Sequence, residues 1–331
     1  MDSDDKKITQ LARVTSLSDS DLLVVVVDVG TAPQTKAIEK SDAFANMAGG
    51  GGEGILVNGV ISVSVASNNL TVAIKTLAGA DPSAGDPVTI QINGVIRTIS
   101  AALSVTKNAG TNWCNSGGSE LATKEVDYFV YLGYNATDGV VIGFSRIPYA
   151  SLYSDFSATS TAETYCAIST ITNAAAGDNY VNIGRFAATL SAGAGYTWTA
   201  PTFTSANLIQ RRITESRWLA WQIVYAGWSS NPTYVSTYQV QNRMIAYDFS
   251  VSNNGTSNAT TATMSLPFKA AVSDFCALIG YQDNGATGAP GDVQTTAASN
   301  LLSLYKAVYS GAWTNSGTKI MYIPVFSIRL I

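Results

Sequence analysis

A short motif, an Asn-Gly pair preceded and followed by β-branched residues, occurs twice in the first third of the chain. Asn58-Gly59 follows Ile55–Val57, and Asn93-Gly94 follows Val88–Ile92. Asn-Gly adopts the positive φ angles of a two-residue hairpin turn, and β-branched residues favour strands. Both segments are therefore predicted to be antiparallel hairpins, and the chain is predicted to be mainly β.

The second half of the chain alternates apolar and polar residues with a period of two. Leu219, Trp221, Ile223 and Tyr225 would share one face of a strand. The same alternation predicts a second inward-facing set, namely Ile245, Tyr247, Phe249 and Val251. Several such strands separated by turn residues are typical of a β-sandwich, so the C-terminal part is predicted to be a jelly-roll-like sandwich.

Four consecutive glycines, Gly49–Gly52, mark the clearest boundary in the chain. Such a run forms a flexible joint, because glycine has the widest backbone freedom. We predict an N-terminal extended docking arm at 1–48, a Gly-rich linker at 49–54, a central hairpin-rich β-domain at 55–195 and the C-terminal β-sandwich domain at 196–331.

Composition removes several classes of function. The chain has no histidine, which excludes Ser-His-Asp triads and histidine metal sites. Its net charge is −4 without a basic cluster, so nucleic acid is not an expected partner.

The apolar run Leu22–Val27 is too short to span a bilayer, and the acidic start does not resemble a signal peptide, so no membrane insertion is expected. No cofactor or metal is predicted, because Cys114, Cys166 and Cys276 are widely spaced.

Two stretches resemble virion structural proteins of tailed bacteriophages, the tail-fibre, tail-tip and head-fibre appendages. The first runs from Ile8-Thr-Gln-Leu11 through Leu22–Asp28 to Thr35–Ile38, and it is similar to an N-terminal attachment segment, although Ala12 stands where proline is common. The second includes Arg211–Tyr225 and Ala262-Thr-Met-Ser-Leu-Pro267, and it is similar to terminal β-sandwich domains.

The resemblance implies a structural component of a phage particle, located in the virion after assembly in the bacterial cytoplasm. Its partners would be itself, as a homotrimer, other virion proteins, and a host cell-surface glycan or protein. An arm that buries few of its own apolar side chains can insert them into a partner. The docking residues predicted on this basis are Ile8, Leu11, Val14, Leu17, Leu22, Leu23, Val25 and Ile38.

Aromatic residues crowd one stretch of the C-terminal part, and exposed rings can stack on sugars or anchor a protein interface. Trp221 and Tyr225 share a strand face with aliphatic residues and are predicted to be buried. Trp228 and Tyr234 lie near the turn-rich Gly227–Pro232 segment and are predicted to be exposed. The candidate surface-recognition residues are therefore Trp228, Tyr234 and Tyr238.

Two alternatives to host attachment stay open. The protein could be a capsid-surface decoration or a tail or connector protein without a receptor role. It could also be a polysaccharide depolymerase that uses paired carboxylates. No carboxylate motif is recognisable, so we predict that the protein is not an enzyme. The carboxylates available for such a pair are Glu125, Asp127, Asp138, Asp155, Glu163, Glu215 and Asp248.

Overall fold

The chain forms two compact units, Met1–Gly52 and Glu53–Ile331, and the division between them falls inside the predicted linker. In the described part of the chain, regular secondary structure consists of strands without a helix, which confirms the mainly β prediction. The computed structural model describes residues 22–27, 34–39, 56–109, 121, 123–152, 166–168, 175–191, 197–205, 215–288, 290–307 and 311–329.

The first unit contains one antiparallel hairpin, formed by β1 (Leu22–Val27) and β2 (Gln34–Glu39). Leu23 pairs with Ile38 and Val25 pairs with Lys36 in its register. Four predicted docking residues lie on this hairpin, namely Leu22, Leu23, Val25 and Ile38. The other four lie outside the described residues, namely Ile8, Leu11, Val14 and Leu17.

The second unit begins with two three-stranded antiparallel sheets, ordered β3-β6-β7 and β4-β5-β8. Their inward faces carry alternating apolar side chains, as in Val88, Ile90 and Ile92. The strands are β3 (Leu56–Val57), β4 (Gly59–Ala66), β5 (Asn69–Thr76), β6 (Val88–Ile92), β7 (Val95–Ile99) and β8 (Leu103–Lys107).

The two Asn-Gly pairs adopt different structures. Asn93-Gly94, with φ angles of 50° and 75°, forms the predicted hairpin between β6 and β7. The hairpin predicted at Asn58-Gly59 is wrong, because the chain passes there from one sheet to the other. Gly59 starts β4, and a Cβ at this position would lie 2.5 Å from the Val88 side chain. The Asn58 amide instead donates to Asp86 (2.6 Å) and holds this corner.

A five-stranded antiparallel sheet follows, in the order β11-β10-β9-β12-β13. A turn at Asn135–Gly139 joins its strands β9 and β10. Packed aromatic rings form its core, with Tyr128 between Phe186 (5.2 Å) and Trp198 (5.5 Å). The strands are β9 (Glu125–Asn135), β10 (Gly139–Ser145), β11 (Cys166–Ile168), β12 (Asn179–Thr189) and β13 (Phe203–Ser205).

The C-terminal part contains a four-stranded sheet, β14-β17-β18-β26, and a barrel-like sheet, β15-β20-β24-β23-β21-β25-β19-β16, with β22 paired to β21. The strands are β14 (Leu219–Ala220), β15 (Tyr225–Ala226), β16 (Trp228–Ser230), β17 (Thr233–Gln241), β18 (Met244–Asn253), β19 (Gly255–Ser257), β20 (Ala262–Ser265), β21 (Asp274–Asp283), β22 (Ala286–Thr287), β23 (Gly291–Thr295), β24 (Leu301–Tyr305), β25 (Thr318–Tyr322) and β26 (Phe326–Arg329).

The barrel-like sheet is nearly closed, because its two terminal strands, β15 and β16, are separated by Gly227 alone. Gly227 has a φ of +86°, and a Cβ there would lie 2.1 Å from the Thr261 carbonyl oxygen. Only glycine fits this seam. Pro324 falls between β25 in the barrel-like sheet and β26 in the four-stranded sheet. Proline has no N–H for a ladder, so it suits such a corner.

The single strand predicted over residues 219–225 is wrong, because β14 and β15 lie in different sheets and residues 221–224 between them are not in a strand. The predicted alternation of buried and exposed side chains is nevertheless present. Leu219, Trp221 and Ile223 are buried and Tyr225 is half-buried, whereas Gln222 and Val224 between them are exposed. On β18, the inward-facing set is buried where its side chains are described, namely at Ile245, Tyr247 and Phe249.

The second unit extends across the boundary predicted between residues 195 and 196. Arg146, at the end of β10, is almost fully buried and donates to the Pro267 carbonyl (3.2 Å). Its guanidinium also lies 4.0 Å from the centre of the Phe268 ring. The five-stranded sheet and the C-terminal strands therefore pack into a common body.

Candidate functional site

The predicted surface-recognition residues are less exposed than the sequence pattern indicates. Tyr238 is fully buried, with its ring against Trp221 (6.1 Å) and Phe268 (5.7 Å). Trp228 is 9% exposed and packs edge-on against Tyr225 (6.4 Å). Tyr234 is half-buried against Phe249 (5.9 Å). The predicted exposure of Trp228 is therefore wrong, because the near-closure of the barrel-like sheet brings its ring against Tyr225. Tyr234 is only partly exposed, because Phe249 on the neighbouring strand β18 packs against its ring.

An open cleft of about 420 Å³, which we call the aromatic cleft, is nevertheless bordered by three of these aromatic residues, Trp221, Tyr225 and Tyr234. This volume lies within the range of about 300–1,000 Å³ that is typical of small-molecule sites. Its lining combines aromatic rings, uncharged polar groups, aliphatic groups and one cation. The lining residues are Lys124, Ala220, Trp221, Gln222, Ile223, Tyr225, Asn231, Pro232, Thr233, Tyr234, Val235 and Ser236.

Two chain segments meet along the cleft and are bonded to each other. One is the connection from β14 to β15, and the other is the start of β17. The Ser236 hydroxyl donates to the Trp221 carbonyl (3.0 Å) and joins the two segments. Behind them, the Trp221 indole N–H donates to the Ser265 carbonyl (3.1 Å), and the Ser265 hydroxyl accepts from the Val224 N–H (2.9 Å). The cleft walls are thus anchored to β20.

Buried polar atoms near the cleft have no hydrogen-bond partner. The Tyr234 hydroxyl and the Trp228 indole N–H are both buried, and neither has a partner in the described part of the chain. Leaving a buried donor unbonded costs about 1–3 kcal/mol. A ligand oxygen that accepts from the Tyr234 hydroxyl would recover this cost, so the cleft favours ligands rich in oxygen.

Both cleft tyrosines are hydrogen-bond donors over the whole physiological range. Burial raises the pKa of Tyr225 to about 12. Burial also raises the pKa of Tyr234, and the neighbouring Tyr225 raises it further. Each phenol therefore keeps its proton and can donate to a ligand hydroxyl or carboxylate.

Two of the carboxylates considered for catalysis, Glu125 and Asp127, meet at one arginine. The Arg217 guanidinium donates to Asp127 (2.6 Å) and to Glu125 (2.6 Å), and the backbone N–H of Arg217 also donates to Asp127 (3.0 Å). A hydrogen bond from Thr202 and the contact with Arg217 outweigh burial and lower the pKa of Glu125. A general acid needs a raised pKa, so Glu125 does not suit that role, and the two carboxylates instead hold Arg217 in place.

The other carboxylates considered for catalysis differ in exposure. Glu215 and Asp138 are exposed, Asp248 is half-buried, and Asp155 and Glu163 lie outside the described residues. Among the residues that the structure describes, no group of three or more Asp, Glu, Cys or His side chains is placed to hold a metal ion. The described residues also include no helix that is long and apolar enough to cross a membrane.

A second polar centre, which we call the ionic cluster, lies at one end of the barrel-like sheet. Asp283 on β21 accepts from Lys306 (3.2 Å) and Thr314 (2.9 Å), and it lies 2.8 Å from the Lys319 ammonium. Lys319 is fully buried and also donates to the Ser316 carbonyl (2.7 Å). Burial alone would raise the pKa of Asp283, but these bonds outweigh it and lower the pKa well below its usual range.

The cleft contains residues that the sequence pattern did not identify. Gln222, Asn231 and Lys124 are separated by up to 107 positions in the chain (231 − 124) and share no motif. The turn-rich Gly227–Pro232 segment was the only local signal near them. Comparison with protein-family models, curated proteins and solved structures finds no match to this chain.

Proposed function

We propose that this protein is a structural component of a phage particle, which docks through its N-terminal unit and attaches to the host surface through the aromatic cleft of its second unit. The observation that carries the proposal is the cleft, whose lining combines aromatic rings and uncharged polar side chains with a buried phenol that has no hydrogen-bond partner among the described residues. Rings stack on the apolar faces of sugars, and amides and hydroxyls bond to sugar hydroxyls. A surface glycan is the ligand that fits both features.

The architecture supports a long-lived, exposed role. Much of the second unit is antiparallel sheet with polar residues outward, and strand connections repeatedly cross between sheets. A high barrier to unfolding protects a particle protein outside the cell, and unfolding of this unit requires many strand pairs to separate. Repeated copies on a particle would convert weak sugar contacts into avid binding.

Attachment without catalysis fits the carboxylates better than a depolymerase does. Glu125 and Asp127 are both bound to Arg217, and the lowered pKa of Glu125 does not suit a general acid. The proposal therefore assigns binding to the protein, and cleavage of the polysaccharide is not part of it.

The test is binding of the purified full-length chain to immobilised bacterial surface polysaccharides, measured by biolayer interferometry. We expect wild-type binding to at least one polysaccharide and a loss of about tenfold in affinity for Gln222→Ala in the cleft. Gln241→Ala is the matched control, because Gln241 is also exposed but does not line the cleft. No binding to any polysaccharide, or equal losses in both variants, would overturn the proposal.

Docking has its own test, because it depends on a different part of the chain. Deleting residues 1–48 should leave the second unit folded, since 53–331 is a separate compact unit, and should remove the protein from purified particles. Continued incorporation would contradict docking through the N-terminal unit. Light scattering on the full and shortened chains would then show whether the proposed trimer depends on the same segment.

One observation favours the decoration or connector alternative. Val235 is 64% exposed on the cleft wall, and Trp218 is 49% exposed just before β14. Exposed apolar side chains can mark a subunit interface. If Trp218 packs against another subunit, Trp218→Ser, a change outside the cleft lining, would reduce the solution mass measured by light scattering, and the wild-type chain would bind no polysaccharide.

A further inference from the structure

The lining of the aromatic cleft carries one positive charge and no negative charge. Lys124 is the one charged side chain among the lining residues, and the lining contains neither aspartate nor glutamate. The other polar groups, such as Gln222, Asn231 and Thr233, are uncharged. A cleft of this kind attracts an anion locally, although the whole chain carries a net charge of −4.

Lys124 also differs from other lysines of the second unit in its partners. Lys75 pairs with Asp81 (2.6 Å), and Lys306 and Lys319 pair with Asp283. Lys124 is half-buried, and its ammonium has neither an ion pair nor a hydrogen bond to any residue that the structure describes. Its neighbour Glu125 does not neutralise it, because that carboxylate is bound by Arg217 and Thr202. A half-buried cation gains more from a ligand anion than a fully solvated one.

We propose that the aromatic cleft selects an anionic saccharide, in which an acidic group pairs with Lys124 while hydroxyl groups bond to Tyr225, Tyr234 and Asn231. This inference rests on the proposed function and names the substrate class of the same site. Because Lys124 is the one cation in the lining, we expect one acidic group in the saccharide segment that occupies the cleft. A lysine ammonium, as a compact point charge, accepts either a carboxylate or a phosphate, so the shared requirement is the negative charge.

The two tyrosines are compatible with an anionic ligand. Because both phenols stay protonated, they donate to ligand hydroxyl oxygens and do not repel a negative charge. The preference for an acidic sugar over its neutral counterpart therefore comes from Lys124.

The experiment compares uronic-acid polysaccharides with their own carboxyl-reduced forms, which keep the sugar skeleton and lose only the charge. A phosphorylated polysaccharide and its dephosphorylated form make a second pair. Full-length wild type should bind one charged form at least about tenfold more tightly than its neutral form, and the difference should shrink as salt is raised. The pair that shows the difference identifies carboxylate or phosphate as the acidic group.

Two lysine variants make the test specific. Lys124→Gln should bind the charged and the neutral forms with equal affinity. Lys75→Gln, a partly exposed lysine outside the cleft, should keep the preference. Equal wild-type binding of both forms, or a preference that survives Lys124→Gln, would overturn this inference and leave glycan attachment standing. Binding of no saccharide at all would overturn both.

Discussion

The ionic cluster and the aromatic cleft differ in whether their polar groups have partners within the described structure. In the ionic cluster, Asp283 is surrounded by Lys306, Thr314 and Lys319, and Lys319 donates further to backbone carbonyls. In the cleft, the Tyr234 hydroxyl is buried without a partner and Lys124 has no counter-ion in the described structure. Partnered buried groups stabilise a fold, whereas unpartnered groups cost stability and are retained where a ligand can satisfy them. The comparison separates a structural centre from a binding centre.

The largest expected effect is on the ionic cluster. Lys319→Met removes a fully buried cation and leaves Asp283 without its closest counter-ion. We expect a loss of about 3–5 kcal/mol in the free energy of unfolding, measured by urea denaturation with tryptophan fluorescence. The partly exposed pair Lys75–Asp81 is the control, and Lys75→Met should cost about 1 kcal/mol or less. Equal losses in the two variants would remove the distinction between buried and exposed ion pairs.

Acid should weaken the same cluster. The pKa of Asp283 is lower in the folded chain than its unfolded value of about 3.9, so its charge stabilises the fold above that pH. The contribution is lost as the pH falls below about 4, and we expect a loss of about 2 kcal/mol from this group. The free energy of unfolding, measured by urea denaturation between about pH 5 and pH 2, should therefore fall more steeply with decreasing pH for wild type than for Asp283→Asn. The same pH dependence in both proteins would contradict this assignment.

Arg217 provides an intermediate case, because its side chain is partly exposed while its partner Asp127 is fully buried. Arg217→Met should cost about 2 kcal/mol, since Asp127 keeps the backbone N–H of Arg217 and the more distant Arg185 (3.6 Å). The same variant frees Glu125, whose pKa should rise towards its ordinary value. A stability loss as large as that of Lys319→Met would show that the cost depends on the buried carboxylate alone.

The smallest expected effect is in the cleft and is the sharpest test of the comparison. Tyr234→Phe removes a buried donor without a partner in the described structure, so the variant should lose no stability and should gain up to about 1 kcal/mol. Tyr131→Phe is the matched control, because the Tyr131 hydroxyl donates to the Ile147 carbonyl (2.7 Å) and its loss should cost about 1–2 kcal/mol. Saccharide affinity should fall only in Tyr234→Phe. If Tyr234→Phe lost stability and kept its saccharide affinity, Tyr234 would have a structural role and would not bind the ligand.

The sequence predicted the secondary structure class and one face of the key strands, because alternation is a local property of the backbone. The burial of Leu219, Trp221 and Ile223 follows directly from that pattern. It did not predict the burial of Trp228, since that depends on β15 and β16 becoming the two ends of the barrel-like sheet. Nor did it predict Lys124 as a cleft residue, because the contact between distant segments has no local signal.

The chain by itself determined that it folds as sheets, and it determined the hairpin at Asn93-Gly94, since the turn and both strands are contiguous there. Only the tertiary structure decided that the same dipeptide at Asn58-Gly59 is a corner between sheets, and that Pro324 separates two strands. The physical reason is the same in both cases. Backbone propensity fixes the local dihedral angles, whereas the partner of a strand is chosen by long-range packing, as when Val88 leaves no space for a side chain at Gly59.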